Sequence, residues 1–338
     1  MSQIITQNPE QLHLSWQKEL ANVVTDPKVL LNSLDIDPQK YLEHFNARTL
    51  FPVRVPVPFI EKMEKGNFND PLLKQVMPLS HEFIQSQDYL TDPLEEHDTV
   101  AEGLLHKYTN RVLMIVKAGC AVNCRYCFRR HFPYQDNSPN KQRWQSALRY
   151  IEAHAEINEV ILSGGDPLMA NDQHLTWLIQ QIEAIAHVKR LRIHTRLPVV
   201  IPNRVTHELA DLLASTRLIC SMVLHINHAN EIDTNLLSAL KKLQMHHIPL
   251  FNQSVLLKGI NDDLATLVNL SEKLFDHGIQ PYYLHLLDKV QGAAHFDIDE
   301  QEALLLYKEL MANLSGYMVP KLVREIAGEA NKTPINLA

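Results

Sequence analysis

The chain has 338 residues, 45% hydrophobic and 21% charged, and its 32 Lys and Arg against 39 Asp and Glu leave a net charge of −7. Such a chain buries a core, as one large domain or one with a small appendage, and is not disordered. Its acidity argues against nucleic acid, no apolar run approaches the ~18 residues of a membrane span, and Met1–Asn8 carries no leader pattern, so a cytoplasmic protein is expected.

Residues 1–105 are expected to form an N-terminal helical and irregular region. Pro9–Val24 and Pro38–Asn46 mix apolar and charged residues at helical spacing, and Pro52, Pro56, Pro58, Pro71 and Pro78 then break that pattern repeatedly. With no Gly/Ser linker at its end, this region should pack against the rest. Strand-length apolar runs then alternate with helical patterns. The strand candidates are Arg111–Lys117, Glu159–Ser163, Leu191–Thr195, Leu218–His225, Ile248–Leu257 and Gln280–Leu286. Several look continuously apolar, as in parallel strands buried on both faces. Helices are expected over Asn140–Ala153, with Ser138-Pro139 at its start, over Gln173–Ala186, over Asp233–His246, and over Asn261–His277, capped by Gly278. The alternation predicts an α/β fold with parallel strands and right-handed crossovers. Six strands are two short of a closed barrel, so a partial (β/α)6 barrel over 106–300 leads, with a C-terminal segment over 301–338. A doubly wound sheet is the alternative.

Three of the four cysteines, Cys120, Cys124 and Cys127, fall within eight residues, directly after the first strand candidate. The C-terminal end of a strand is where α/β folds carry chemistry. Three thiolates on a four-iron cluster leave one iron open to a ligand. Zinc held by these cysteines and His131, or plain buried thiols, are the competing readings. Cys220 stands apart on a strand and reads as a core thiol. After the second strand comes Ser163-Gly164-Gly165-Asp166-Pro167, where adjacent glycines let backbone approach a neighbour closely.

Cys-x3-Cys-x-Tyr-Cys with Gly-Gly-Asp resembles the signature of radical S-adenosylmethionine (SAM) enzymes. The resemblance implies a 4Fe–4S cluster on the three cysteines. It also implies SAM held near Tyr126, Gly164, Gly165 and Asp166, with Gln253 and His225 near its nucleoside. Further segments narrow the likeness: Asp92-Pro93-Leu94-Glu95, Gly103–Tyr108, Cys127-Phe128-Arg129-Arg130, His225–Glu231, Asn252–Leu257, Gly292–Phe296 and Asn331-Lys332-Thr333-Pro334. They are similar to the lysine 2,3-aminomutases, and in detail to the subgroup that makes (R)-β-lysine for elongation factor P.

That family moves the α-amino group of lysine to the β-carbon, using pyridoxal phosphate and a radical derived from SAM. The likeness implies that Lys332 binds pyridoxal phosphate, with Lys107 and Arg111 near its phosphate. Arg129 would clamp the substrate carboxylate, and Asp288 and Glu325 would hold the ε-ammonium of L-lysine. Two acids there favour a cationic side chain over an anionic one. Lys107 replaces an arginine and Glu325 an aspartate of the family pattern. The implied partners are a reduced flavodoxin or ferredoxin type electron donor and, functionally, elongation factor P with its lysyl-ligating enzyme. A homo-oligomer is also compatible. A metabolic free-lysine mutase, a different radical SAM enzyme and a non-catalytic zinc protein are the rival readings.

Overall fold

The computed structural model describes residues 16–96, 101–133 and 141–335. Nine strands form one sheet in strict chain order: β1 Leu104–Tyr108, β2 Arg111–Lys117, β3 Glu159–Gly164, β4 Arg190–Thr195, β5 Ile219–His225, β6 Leu250–Val255, β7 Ile279–His285, β8 Lys321–Arg324 and β9 Thr333–Pro334. Strands β2 to β8 pair in parallel, and β1 and β9 are added antiparallel at the two edges. Helices α1 Lys141–Ala153, α2 Asp172–Ala184, α3 His207–Ser215, α4 Thr234–Met245, α5 Leu264–Asp276 and α6 Glu300–Asn313 fill the successive crossovers. The strand order never reverses, which excludes the doubly wound alternative. β1 and β9 do not pair, so the barrel is open. Its six β/α units agree with the expected (β/α)6 architecture, and β8 adds a seventh parallel strand.

Helix starts follow the sequence chemistry. Asn171, Thr206, Asp233, Asp263 and Asp299 each accept a backbone N–H of the helix they precede. Helix α5 ends as expected, with Gly278 at φ +72° just beyond His277. The proposed start at Ser138-Pro139 lies outside the described residues, as does much of the Pro9–Val24 stretch. The N-terminal region is a series of short helical turns at Pro27–Ser33, Pro38–Thr49 and Pro71–Lys74. Each starts with proline behind a capping aspartate: Asp26, Asp37 and Asp70. Its Leu30, Leu31, Phe59 and Leu72 join the same apolar cluster as the barrel, so it packs against the barrel.

Strands β2 and β3 carry apolar residues on both faces, as expected, with Leu113, Ile115 and Ile161 opposite Val112, Met114, Val160 and Leu162, whereas β4 alternates polar with apolar. Val112, Met114 and Val116 of β2, Leu191 and Ile193 of β4, and Met222 and Leu224 of β5 face the helices. There they meet Leu148, Ile151, Leu178, Leu209, Leu240 and Leu274. The alternate positions, among them Glu159, Arg192, His194, Ser221, His225 and Gln253, line an internal cavity. Period-2 alternation points them away from the helix layer. Cys220 is buried in the helix-side core, as expected. Among the described residues no helix is long and apolar enough to cross a membrane.

Candidate active site

The sheet curls around a cavity of about 630 Å³ whose walls include residues of all the parallel strands or the loops after them. Cys120, Cys124, Cys127, Tyr126, Gly164, Gly165, Asp166, His225 and Gln253 all border it. So do Lys107, Arg111, Arg129, Asp288, Glu325 and Lys332. The fold thus brings the residues expected to serve the cluster, SAM, pyridoxal phosphate and substrate to one space, while Cys220 and His131 lie outside it.

The cysteine loop is clamped from outside. The Arg125 guanidinium, fully buried, donates from Nε to Glu82 at 2.8 Å and from NH1 to the Phe51 carbonyl at 2.6 Å. Arg130 adds a bond to Glu82 at 2.7 Å, and the Asn123 N–H donates to the Arg54 carbonyl at 3.0 Å. From the cavity side the glycine pair fixes the loop. Gly165 N–H donates to the Lys117 carbonyl at 2.7 Å and Asp166 N–H to Gly119 at 3.0 Å. A Cβ on Gly165 would lie 2.4 Å from the Gly119 oxygen, and Gly164 has φ +119°, so neither position tolerates a side chain.

Burial, reinforced by Asp166 and the neighbouring cysteines, raises the Cys120 thiol well above its ordinary range. Burial and Cys124 push Cys127 up to about 11. Three thiols that feel one another in a dry pocket suit a cationic cluster, which would reverse this penalty. No three His, Cys, Asp or Glu among the described residues converge on a single metal ion, and His131 Nε2 instead meets the Gln291 carbonyl at 3.2 Å. Among the described residues the geometry offers zinc no site.

Asp166 is committed to the protein. Its carboxylate accepts from the Thr195 hydroxyl at 2.7 Å and from the N–H groups of Leu168, Arg196 and Leu197 at 3.0, 2.8 and 2.9 Å. It therefore fixes the end of β4, where Arg196 reaches Cys124 Sγ, the Tyr126 hydroxyl, Gln75 and Glu231. Gln253 Nε2 donates to His225 Nε2 at 2.9 Å. Burial, with Arg196 and Arg129 nearby, lowers His225 to about 3 and leaves it neutral. Burial likewise holds His194 and His285 well below their ordinary range. Gln253 Oε1, His194 Nε2, His285 Nε2 and Asp288 Oδ1 are buried without partners. Polar atoms left this way around a cavity fit a polar ligand.

The other charges are compensated internally. The Lys332 ammonium pairs with Glu325, which also accepts from the Tyr108 hydroxyl at 3.1 Å and lies 3.6 Å from Lys107. Burial would raise the Glu325 carboxyl, but Lys332 and Lys107 outweigh it and bring it down to about 2. Arg129 forms a fork with Glu96 at 2.6 and 3.1 Å, and Lys107 reaches the same carboxylate at 2.9 Å. Burial and then Glu325 push Asp288 up to about 7. Arg111 stacks over Tyr108 at 4.0 Å.

Glu96, Tyr108, Arg192, His194, Arg196 and His285 are site residues that the sequence does not announce as such. Arg192 and His194 could have been found from the polar alternation of Arg-Leu-Arg-Ile-His-Thr in β4. The others carry no local signal.

Comparisons with known proteins identify the family. A family model described as the Radical SAM superfamily matches residues 114–270. The L-lysine 2,3-aminomutase of Escherichia coli (strain K12) is 55% identical over 338 residues, covering 100% of this chain and 98% of that protein. That of Haemophilus influenzae is 59% identical over 94% of this chain and 95% of its own length. The Clostridium subterminale protein of the same name is 36% identical over 82% of this chain and 67% of its own length. Identity at this level over nearly the whole chain is decisive: it belongs to the L-lysine 2,3-aminomutase family of radical SAM isomerases.

Proposed function

We propose that this chain converts (S)-lysine to (R)-β-lysine with a 4Fe–4S cluster, SAM and pyridoxal phosphate, and that the product serves the modification of elongation factor P. The observation that carries the reading is that one cavity is bordered both by the three cysteines and by Lys332 with Asp288 and Glu325. In this reading Cys120, Cys124 and Cys127 hold the cluster. Tyr126, Gly164, Gly165, Gln253 and His225 surround SAM, while Asp166 acts through the end of β4. When bound, the cofactors supply a carbon radical and a carrier for the migrating amine.

The protein's own part is binding, orientation and exclusion of water. Arg129, aimed by Glu96, presents its guanidinium to the substrate carboxylate. Asp288 and Glu325 receive the ε-ammonium, with Glu325 released from Lys332 as that lysine takes up pyridoxal phosphate. Lys107 and Arg111 provide positive charge for the phosphate. His194, His225 and His285, held neutral by burial, add hydrogen-bonding atoms without adding charge.

Anaerobically reconstituted protein given (S)-lysine should yield (R)-β-lysine on chiral analysis. Cleavage of SAM with lysine left untouched would refute the reading. Lys332→Ala should lower turnover by more than about a thousandfold and abolish the visible absorbance of lysine-bound pyridoxal phosphate. The link to elongation factor P rests on likeness to the short subgroup. A metabolic free-lysine mutase would use the same residues. Deleting the gene and weighing elongation factor P by mass spectrometry separates them, since only the first role predicts loss of the β-lysyl adduct. The electron donor is proposed to be a reduced flavodoxin or ferredoxin type protein, and the setting the cytoplasm.

A further inference from the structure

The outer face of the cysteine loop bears a second groove. It has a volume of about 570 Å³ and is lined by Arg48, Thr49, Pro52, Arg54 and Asn123, among others, with no acidic residue. Asn123 is the residue before Cys124. Its N–H and side-chain amide bond to the carbonyls of Arg54 and Pro52 at 3.0 and 2.9 Å. Arg125, the residue after Cys124, holds the carbonyls of Phe51 and Ala47. The strap of residues 47–54, bonded to both sides of Cys124, thus forms the groove together with Asn123 of the cysteine loop. Arg48 is exposed and makes no hydrogen bond or ion pair among the described residues. Arg54 Nε is buried without a partner.

We infer that this groove is the docking site for an acidic protein that carries one electron. The inference rests on the cysteines holding the iron–sulfur cluster. SAM and substrate would fill the cavity on the inner side of the loop, so an external donor must approach from the outer side. A chain of net charge −7 repels an acidic partner over most of its surface. A cationic, acid-free groove beside the cluster reverses that field locally and steers the encounter. Transient electron-transfer contacts are small, below about 1,200 Å², and need no broad apolar face. In the step itself one electron passes from the donor's reduced cofactor to the oxidised cluster, which becomes reduced by one. The donor is oxidised by one, and no bond or proton moves.

The probe is a fully reduced acidic flavodoxin, with photoreduced deazaflavin as a small reductant for comparison. Cluster reduction is followed by stopped-flow absorbance and electron paramagnetic resonance, without lysine. Arg48→Glu, at an exposed position, should slow reduction by flavodoxin about tenfold at low ionic strength and weaken flavodoxin binding. Reduction by deazaflavin should be unchanged, and 0.5 M salt should erase the difference, as expected when a screening length of ~4 Å removes steering. Arg54→Gln should act in the same direction. Equal flavodoxin rates for parent and Arg48→Glu at low salt would overturn the inference, as would a slowing shared equally by deazaflavin. A parent protein that binds no iron and sulfide would instead overturn the cluster assignment.

Discussion

At the level of single residues, the role proposed for Asp288 in lysine binding carries a pH signature. Its carboxyl is pushed up to about 7 by burial and by Glu325, and one of its oxygens has no partner. Neutral Asp288 cannot pair with an ammonium, so in the proposed role its contribution to lysine binding grows as pH rises from 6 to 8. KM for lysine should fall over that range. Asp288→Asn should raise KM about tenfold or more at pH 8 and flatten the pH dependence, as steady-state kinetics will read. The sign for stability is opposite. The folded state holds this proton more tightly than the unfolded chain, whose Asp titrates near ~3.9. Free energy is therefore lost as pH rises from ~4 to about 7, at most roughly 4 kcal/mol. Asp288→Asn should consequently unfold at higher denaturant than the parent at pH 8. Glu325, drawn down to about 2 by its lysines, remains ionised throughout.

Among the structural elements, the junction of β3 with the cysteine loop is the least forgiving. Gly165→Ala would drive a methyl against the Gly119 backbone, one residue before Cys120. It should reduce bound iron per chain and cost about 1–3 kcal/mol of stability. Gly316→Ala, where nothing lies within 4 Å, should do neither. Iron analysis and chemical denaturation compare the two. The elements legible in the sequence were those with dense apolar runs. Val112, Met114 and Val116 announce β2, and Leu175, Leu178 and Ile182 announce α2. Helix α6 hid because only Ala303 and Leu310 are fully buried, while Leu305 and Met311 stay exposed. β8 is only four residues long, too short for a pattern. The cysteine spacing was legible because it is local. The contact between Arg196 and Cys124 spans 72 residues and exists only once the sheet has formed.

Across the whole molecule, the open edge of the barrel is the distinctive feature. β8 and β9 pair Arg324 with Thr333, which places Glu325 beside Lys332 at the end of the hairpin. Across the gap, Tyr108 and Lys107 of β1 reach Glu325. The circuit is thus completed by side chains where other neighbouring strands share backbone hydrogen bonds. Parting it breaks the Lys107–Glu325 ion pair and the Tyr108–Glu325 hydrogen bond and disturbs no parallel ladder, so this line should open at a free energy below that of global unfolding. On warming, the chain should therefore lose catalysis before it loses its fold. Loss of turnover after brief heating and rapid assay should have its midpoint several degrees below the circular dichroism transition. Amide exchange at β9 should accelerate in that interval while β4 to β6 stay protected. Thermal inactivation of this enzyme would then report the parting of one seam, and its shelf life would be set there.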